Sequence, residues 1–166
     1  MINLNIVVDT NIVDFAFLDE DPGLNDSCYK SIYSILEKPE LFWVIDSPME
    51  GSIGNRILIE YMKKLACVRD FEVFWMKLNE SEKVKYVIPI VDLKISEKLN
   101  EMKMQEEDRV FVFTAIAADK FLISEDGDFG VSKGKEEYKE RYKYFTENLG
   151  MKIMNSSSFL DYLMKI

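Results

Sequence analysis

Residues 107–129 read EDRVFVFTAIAADKFLISEDGDF, and the change of character along them decides the fold. From Val110 the run is apolar almost all round, and Ala115, Ala117 and Ala118 permit close approach by a neighbour. That pattern predicts a helix over 107–118 sandwiched in the core, with Asp108 in the first turn, where the helix dipole favours negative charge. KFLIS (120–124) then reads as a strand. It breaks off into Glu125, Asp126 and Asp128, which puts carboxylates at the mouth of a buried strand.

The same alternation repeats on either side. NLNIVV (3–8) is an apolar, β-branched strand that leads into Asp9-Thr10-Asn11, a strand followed by a helix cap. Apolar spacing predicts helices over 22–38, through Tyr29, Ile32, Tyr33 and Leu36, and over 53–66, where Ile53, Ile57, Leu58, Tyr61 and Leu65 share a face and Glu60 lies on its edge. LFWVID (41–46) and MKIMN (151–155) read as strands, and KVKYVIPIV (83–91) is a less regular candidate. Further helices are predicted over 69–79, 92–103 and 133–147, and Ser158-Phe159-Leu160-Asp161 reads as a capping box opening the last one. Strands alternating with helices along 166 residues predict a single α/β domain, 1–166. Its expected form is a three-layer α/β/α sandwich around a central, mainly parallel sheet of four to five strands.

Composition narrows the chemistry. The chain is 48% hydrophobic and 31% charged with no Pro/Gly/Ser-rich tract, as expected of a folded globular protein. The N-terminus carries no basic leader and the longest nearly apolar run, 110–118, is about half a membrane span, so the expectation is an untargeted, cytoplasmic protein with no membrane partner. Cys28 and Cys67 lie far apart with no CxxC pair, which suggests core residues rather than a zinc site or disulfide. The absence of histidine excludes Ser-His-Asp triads, imidazole bases and His-ligated metals, and leaves carboxylates, hydroxyls, lysines or an oxygen-bound metal. A net charge of −9 opposes nonspecific nucleic-acid binding, so an enzyme acting on nucleic acid would need divalent cations or local basic patches.

In open parallel sheets ligands bind beyond the carboxyl ends of the strands, and Asp9 and Asp126 both follow apolar strands toward that edge. Singly, each acid has a structural explanation: Asp9 or Thr10 as a cap, Asp108 as a dipole partner, Asp126-Gly127 as a turn. Gathered in one cleft they would raise each other's pKa values unless a cation neutralised them. Oxygen donors without histidine or cysteine favour Mg²⁺ or Mn²⁺. An EF-hand is not indicated, because its remaining ligand spacing is missing and a strand stands where its helix should be.

With IVVDTN (6–11), RILIEY (56–61), EDRVFVFTAIAA (107–118) and LISEDGDF (122–129) in that order, the chain resembles the PIN domain family and is distantly similar to its VapC-type toxins. The resemblance spans residues 4–155. It implies a metal set of Asp9, Glu60, Asp108 and Asp126, with Asp128 as a further ligand and with Thr10, Asn11 and Ser124 orienting the carboxylates by hydrogen bonds. Glu50 competes with Glu60 for the second position, and Glu60 is preferred because a rigid helix edge can aim a ligand. Glu125 is expected to face solvent.

The family implies hydrolysis of phosphodiester bonds, usually in RNA, with a divalent ion activating the attacking water, a chemistry open to a chain without histidine. Such a metal-dependent endoribonuclease would be a toxin with an antitoxin as partner or a free-standing RNA-processing enzyme, in either case compatible with a homodimer. The alternative is a PIN-like binding or scaffold module with little catalysis. A haloacid-dehalogenase-type phosphatase would want an acid where Asn11 stands, and a Toprim-like use of Glu50-Gly51 with Asp126-Gly127-Asp128 would leave Asp9 and Asp108 idle. Lys133, Lys135, Lys139, Arg141 and Lys143 alternate with Glu136, Glu137 and Glu140 and read as a solvated helix face. Arg56, Lys63 and Lys64 suit substrate contact and surface pairing equally, Arg109 suits Asp108 or a phosphate, and Phe71, Phe74 and Trp75 fit a core or oligomer interface better than base stacking.

Overall fold

The apolar, β-branched runs do form the strands. A computed structural model describes residues 3–18, 22–48, 55–131 and 136–166, and the elements follow in the order β1 (Leu4–Val8), α1 (Thr10–Leu18), α2 (Pro22–Glu37), β2 (Leu41–Asp46), α3 (Arg56–Leu65), α4 (Arg69–Glu80), β3 (Val84–Val87), α5 (Leu93–Glu101), α6 (Glu106–Ala117), β4 (Phe121–Ile123), α7 (Glu136–Lys143), β5 (Lys152–Met154) and α8 (Ser156–Leu163). A 3₁₀ turn, Gly127–Phe129, follows β4, and α7 runs on as a π-helical segment, Tyr144–Asn148. The five strands pair in parallel in the order β3-β2-β1-β4-β5, the central sheet of a three-layer α/β/α fold.

The winding positions the site. The chain builds outward from β1 through β2 to β3, then returns to the other side of β1 for β4 and β5. Its direction therefore reverses between β1 and β4, where Val8 lies opposite Ile123, and a crevice opens beyond those two strand ends. Ile6, Val7 and Val8 of β1 and Phe121, Leu122 and Ile123 of β4 are buried, as strands covered on both faces must be. Helix α6 packs on β1, β2 and β4 with Val110–Ala115 buried, so the predicted core helix lies beneath the crevice with its acidic first turn at the rim.

Several expectations change in detail. Strand 83–91 shortens to Val84–Val87, because Pro89 lacks an N–H and restricts the residue before it. The capping box at Ser158 gives way to Asn155, whose side chain accepts from Ser158 N at 2.8 Å and starts α8 at Ser156. Cys28 is buried but Cys67, in the turn after α3, is exposed. Ile53, at the start of the predicted 53–66 helix, and Lys133 and Lys135 lie outside the described residues. Phe71 and Phe74 are fully buried and make edge or tilted contacts with Phe17, Tyr61 and Trp43, and Trp75 meets the Trp43 ring at 6.0 Å, so this cluster is core.

At the sheet edge Lys83 is buried, and its ammonium donates to Leu41 O at 3.0 Å and to Lys38 O. Lys85 lies over the Phe42 ring at 3.6 Å and donates to Asn5 Oδ1. Among the described residues no helix is long and apolar enough to cross a membrane.

Candidate active site

Asp9 leaves β1 at the crevice, and its backbone N–H donates to Ile123 O of β4 at 2.9 Å. Its side chain is buried, with Oδ1 accepting from Thr10 N at 2.7 Å and Oδ2 from Ser124 Oγ at 2.6 Å. Ser124 is tied to β5 through Met154 O and accepts from Asp126 N at 2.9 Å. Asp126 in turn accepts from Asp128 N at 2.9 Å, which caps the 3₁₀ turn. Ser124 therefore orients a carboxylate as the family resemblance implies, whereas Thr10 does so through its backbone. Asn11 Oδ1 instead accepts from Glu125 N at 3.0 Å and ties α1 to the acidic loop.

Four elements of the fold meet here. Asp9, Thr10 and Asn11, Glu60 and Lys64 from α3, Glu107, Asp108 and Phe111 from α6, and Asp126 line one cleft of about 130 Å³. Four of the five carboxylates that the resemblance implies share its walls. Glu107 joins them although the family pattern singled out only its neighbour; the run Glu106-Glu107-Asp108 in one helical turn is the signal that could have found it. Glu60 sits at the rim and accepts from Lys63 at 2.5 Å. Glu50 lies outside the described residues. Asp128 does not line the cleft, because its carboxylate pairs with Arg141.

The electrostatics are those of crowded carboxylates, with Lys64 the cation on the cleft wall. Burial pushes Asp9 up to about 7, the Ser124 bond opposes this, and Asp126 and Asp108 add to it. Burial likewise pushes Asp108 up to about 7, reinforced by Asp126, Asp128, Glu107 and Glu60. An all-oxygen donor set with this repulsion fits the chemistry of Mg²⁺ or Mn²⁺. Among the described residues, however, no group of three or more acidic or cysteine side chains is drawn together so as to hold an ion as it stands. The carboxylates share walls without converging on one point.

Two of the basic residues, Arg141 and Arg109, behave differently from expectation, while Lys63 and Lys64 make surface pairs. Arg141 does not lie on a solvated face: it is buried, holds Asp128, and donates to Met102 O at 2.7 and 3.1 Å, fastening the acidic loop to the α5–α6 turn. Gly130 adopts φ +80° where α7 crosses this loop, and a Cβ there would lie 2.4 Å from that of Tyr142. Arg109 serves neither Asp108 nor an open face but donates to Met104 O at 2.7 and 3.1 Å. Lys64 pairs with Asp14. Glu125 is half-buried rather than solvent-facing, and accepts from Ser156 N at 2.8 Å and Ser156 Oγ at 2.5 Å, joining the loop to α8.

No protein-family model matches the chain, and no curated protein is similar enough in sequence to count as a relative. The likeness to PIN domains stays with the four motifs that suggested it, and carries function only as a proposal.

Proposed function

We propose that this chain is a Mg²⁺- or Mn²⁺-dependent endoribonuclease that hydrolyses RNA phosphodiester bonds, with Asp9, Glu60, Asp108 and Asp126 holding the metal. One observation supports it above the others: these carboxylates, drawn from separate elements, line one cleft at the β1–β4 switch, where two of them are pushed up to about 7 by burial and acidic neighbours. A divalent ion there supplies acidified water and neutralises charge on the phosphodiester under attack.

The chain's own part is placement. Thr10 N and Ser124 Oγ hold both oxygens of Asp9, which aims that carboxylate before any ligand arrives. Asp126 is fixed through Asp128 N, and Glu60 is held at the rim by Lys63. Asp9 and Asp108, both pushed up to about 7, would have to be deprotonated to hold a cation there. Arg141 holds the Asp128 carboxylate outside this set. The same machinery suits a toxin held by an antitoxin or an RNA-processing enzyme.

A PIN-like binding module with little catalysis is the second reading, favoured by the lack of converging carboxylates among the described residues. Incubating purified protein with single-stranded and structured RNA, in Mn²⁺, in Mg²⁺ and in chelator, separates the two. The nuclease cleaves only with metal, and Asp9→Asn and Asp126→Asn lose more than the roughly 100-fold that removing even an outer partner of a metal ligand can cost. Cleavage by both variants at the wild-type rate sinks the site assignment.

A further inference from the structure

The acidic cleft shares its walls with two larger hollows. One, of about 260 Å³, shares Glu60 and Glu107 with it and adds Arg56, Ile59, Glu106 and Val110. The other, of about 510 Å³, shares Asn11 and Lys64 and adds Asp14, Phe15 and Leu18. The two share no residue with each other, and each borders the acidic cleft through different residues.

Each hollow joins apolar side chains to one cation and also carries acids, Glu60, Glu106 and Glu107 beside Arg56 and Asp14 beside Lys64. On the α3–α6 side Ile59, 41% exposed, stands beside Val110, and among the described residues the Arg56 guanidinium has no ion pair. On the α1 side Phe15 and Leu18, the latter 38% exposed, stand beside Lys64, which it shares with Asp14. Single exposed apolar residues are ordinary on a protein surface. Here they wall two depressions that border a charged centre. A polynucleotide offers the matching pattern: apolar base faces on both sides of the phosphate being cut, each followed by a further phosphate.

We propose that the Ile59–Val110 and Phe15–Leu18 hollows seat the nucleobases flanking the scissile phosphate, while Arg56 and Lys64 meet the adjoining phosphates. This rests on the nuclease reading above. The substrate is then a single strand, because bases paired in a duplex stay stacked and cannot enter side pockets. The two cations also set a weak salt response. At roughly 0.7 per phosphate neutralised on single strands, log affinity falls against log salt with a slope of about −1.4.

The full chain tests this with a fluorescein-labelled 12-nucleotide RNA of mixed sequence, alone or annealed to its complement. Binding is read by anisotropy on Asp126→Asn with Mn²⁺, and cleavage is read on chains carrying Ile59→Ser, Leu18→Ser or Arg56→Gln. Serine removes an apolar wall without adding charge, and unchanged melting midpoints confirm that the variants are folded. The single strand should bind at least about tenfold more tightly than the duplex, and each serine variant should raise KM by about tenfold, the lower part of the range for losing one stacked base. In each, kcat stays within about twofold, the bases preferred beside the cut change, and Ile59→Leu restores the wild-type KM. Wild-type cleavage combined with unchanged KM and cut-site preference in both serine variants, or with tighter duplex binding, overturns the base seats and leaves the nuclease reading standing. Neither binding nor cleavage of the RNA by the wild type overturns both.

Discussion

Asp9 and Asp46 close neighbouring parallel strands at the same edge of the sheet and are almost equally buried, yet they are used in opposite ways. Asp46 accepts two helix N–H groups, from Arg56 at 2.8 Å and Ile57 at 2.9 Å, so its charge is spent on starting α3. Asp9 receives one N–H and one hydroxyl, and Asp108 and Asp126 oppose its ionisation. What distinguishes a structural carboxylate from a candidate ligand here is what points at it: a helix N-terminus in one case, other acids in the other.

The contrast breaks most readily in stability. Asp46→Ala leaves two N–H groups at the start of α3 without their acceptor and is expected to lower the unfolding free energy by about 2–3 kcal/mol. Asp9→Asn at pH 8 removes a repelled charge and is expected to leave stability unchanged or raise it. Urea titrations of the two proteins measure both, and equal losses would dissolve the distinction.

Ser124→Ala sharpens it. Without the Ser124 hydroxyl, Asp9 loses a donor that favours its ionised form, and Mn²⁺ affinity by calorimetry should fall about 10- to 100-fold while the fold persists. Unchanged affinity would mean that Asp9 is not held for a metal.

The contrast also shows in pH. Asp9 and Asp108 stand at about 7 in the folded chain against an ordinary 3.8, so the native state binds more protons than the unfolded state between those values. Their contribution is fully present below about pH 4 and is lost as pH rises through 7. The metal-free melting midpoint of the wild type should fall from pH 5 to pH 8 relative to Asp9→Asn. Saturating Mn²⁺ should shrink or reverse that trend, since the ion displaces the protons. A wild-type curve parallel to that of Asp9→Asn in chelator would refute the raised value.

The central strands and the core helix were legible because their signals are local: VFVF followed by alanines can only be buried, and an acid after IVV or FLIS must emerge at a strand end. The partners that settle each acid's use were not. Asp46 meets Ile57 across a segment whose length in sequence says nothing of its path. Arg141 sits among alternating charges on α7, a pattern that describes a wet face, and only the approach of Met102 and Asp128 from elsewhere makes it a buried clamp. Glu125 looked superfluous beside Asp126 because nothing nearby announces Ser156, 31 residues on.

The inward lysines of the sheet edge bear on how the protein keeps to itself. On β3 and just beyond it the chain exposes Tyr86, Ile88, Ile90, Val91 and Leu93, the composition from which cross-β aggregates nucleate. Lys83 anchored in the sheet, Lys85 folded over Phe42, and Pro89 interrupting the run keep that edge short and a poor template for a foreign strand. Growth of the sheet past β3 by a sixth strand is thereby discouraged, which leaves β5 as the edge without these guards.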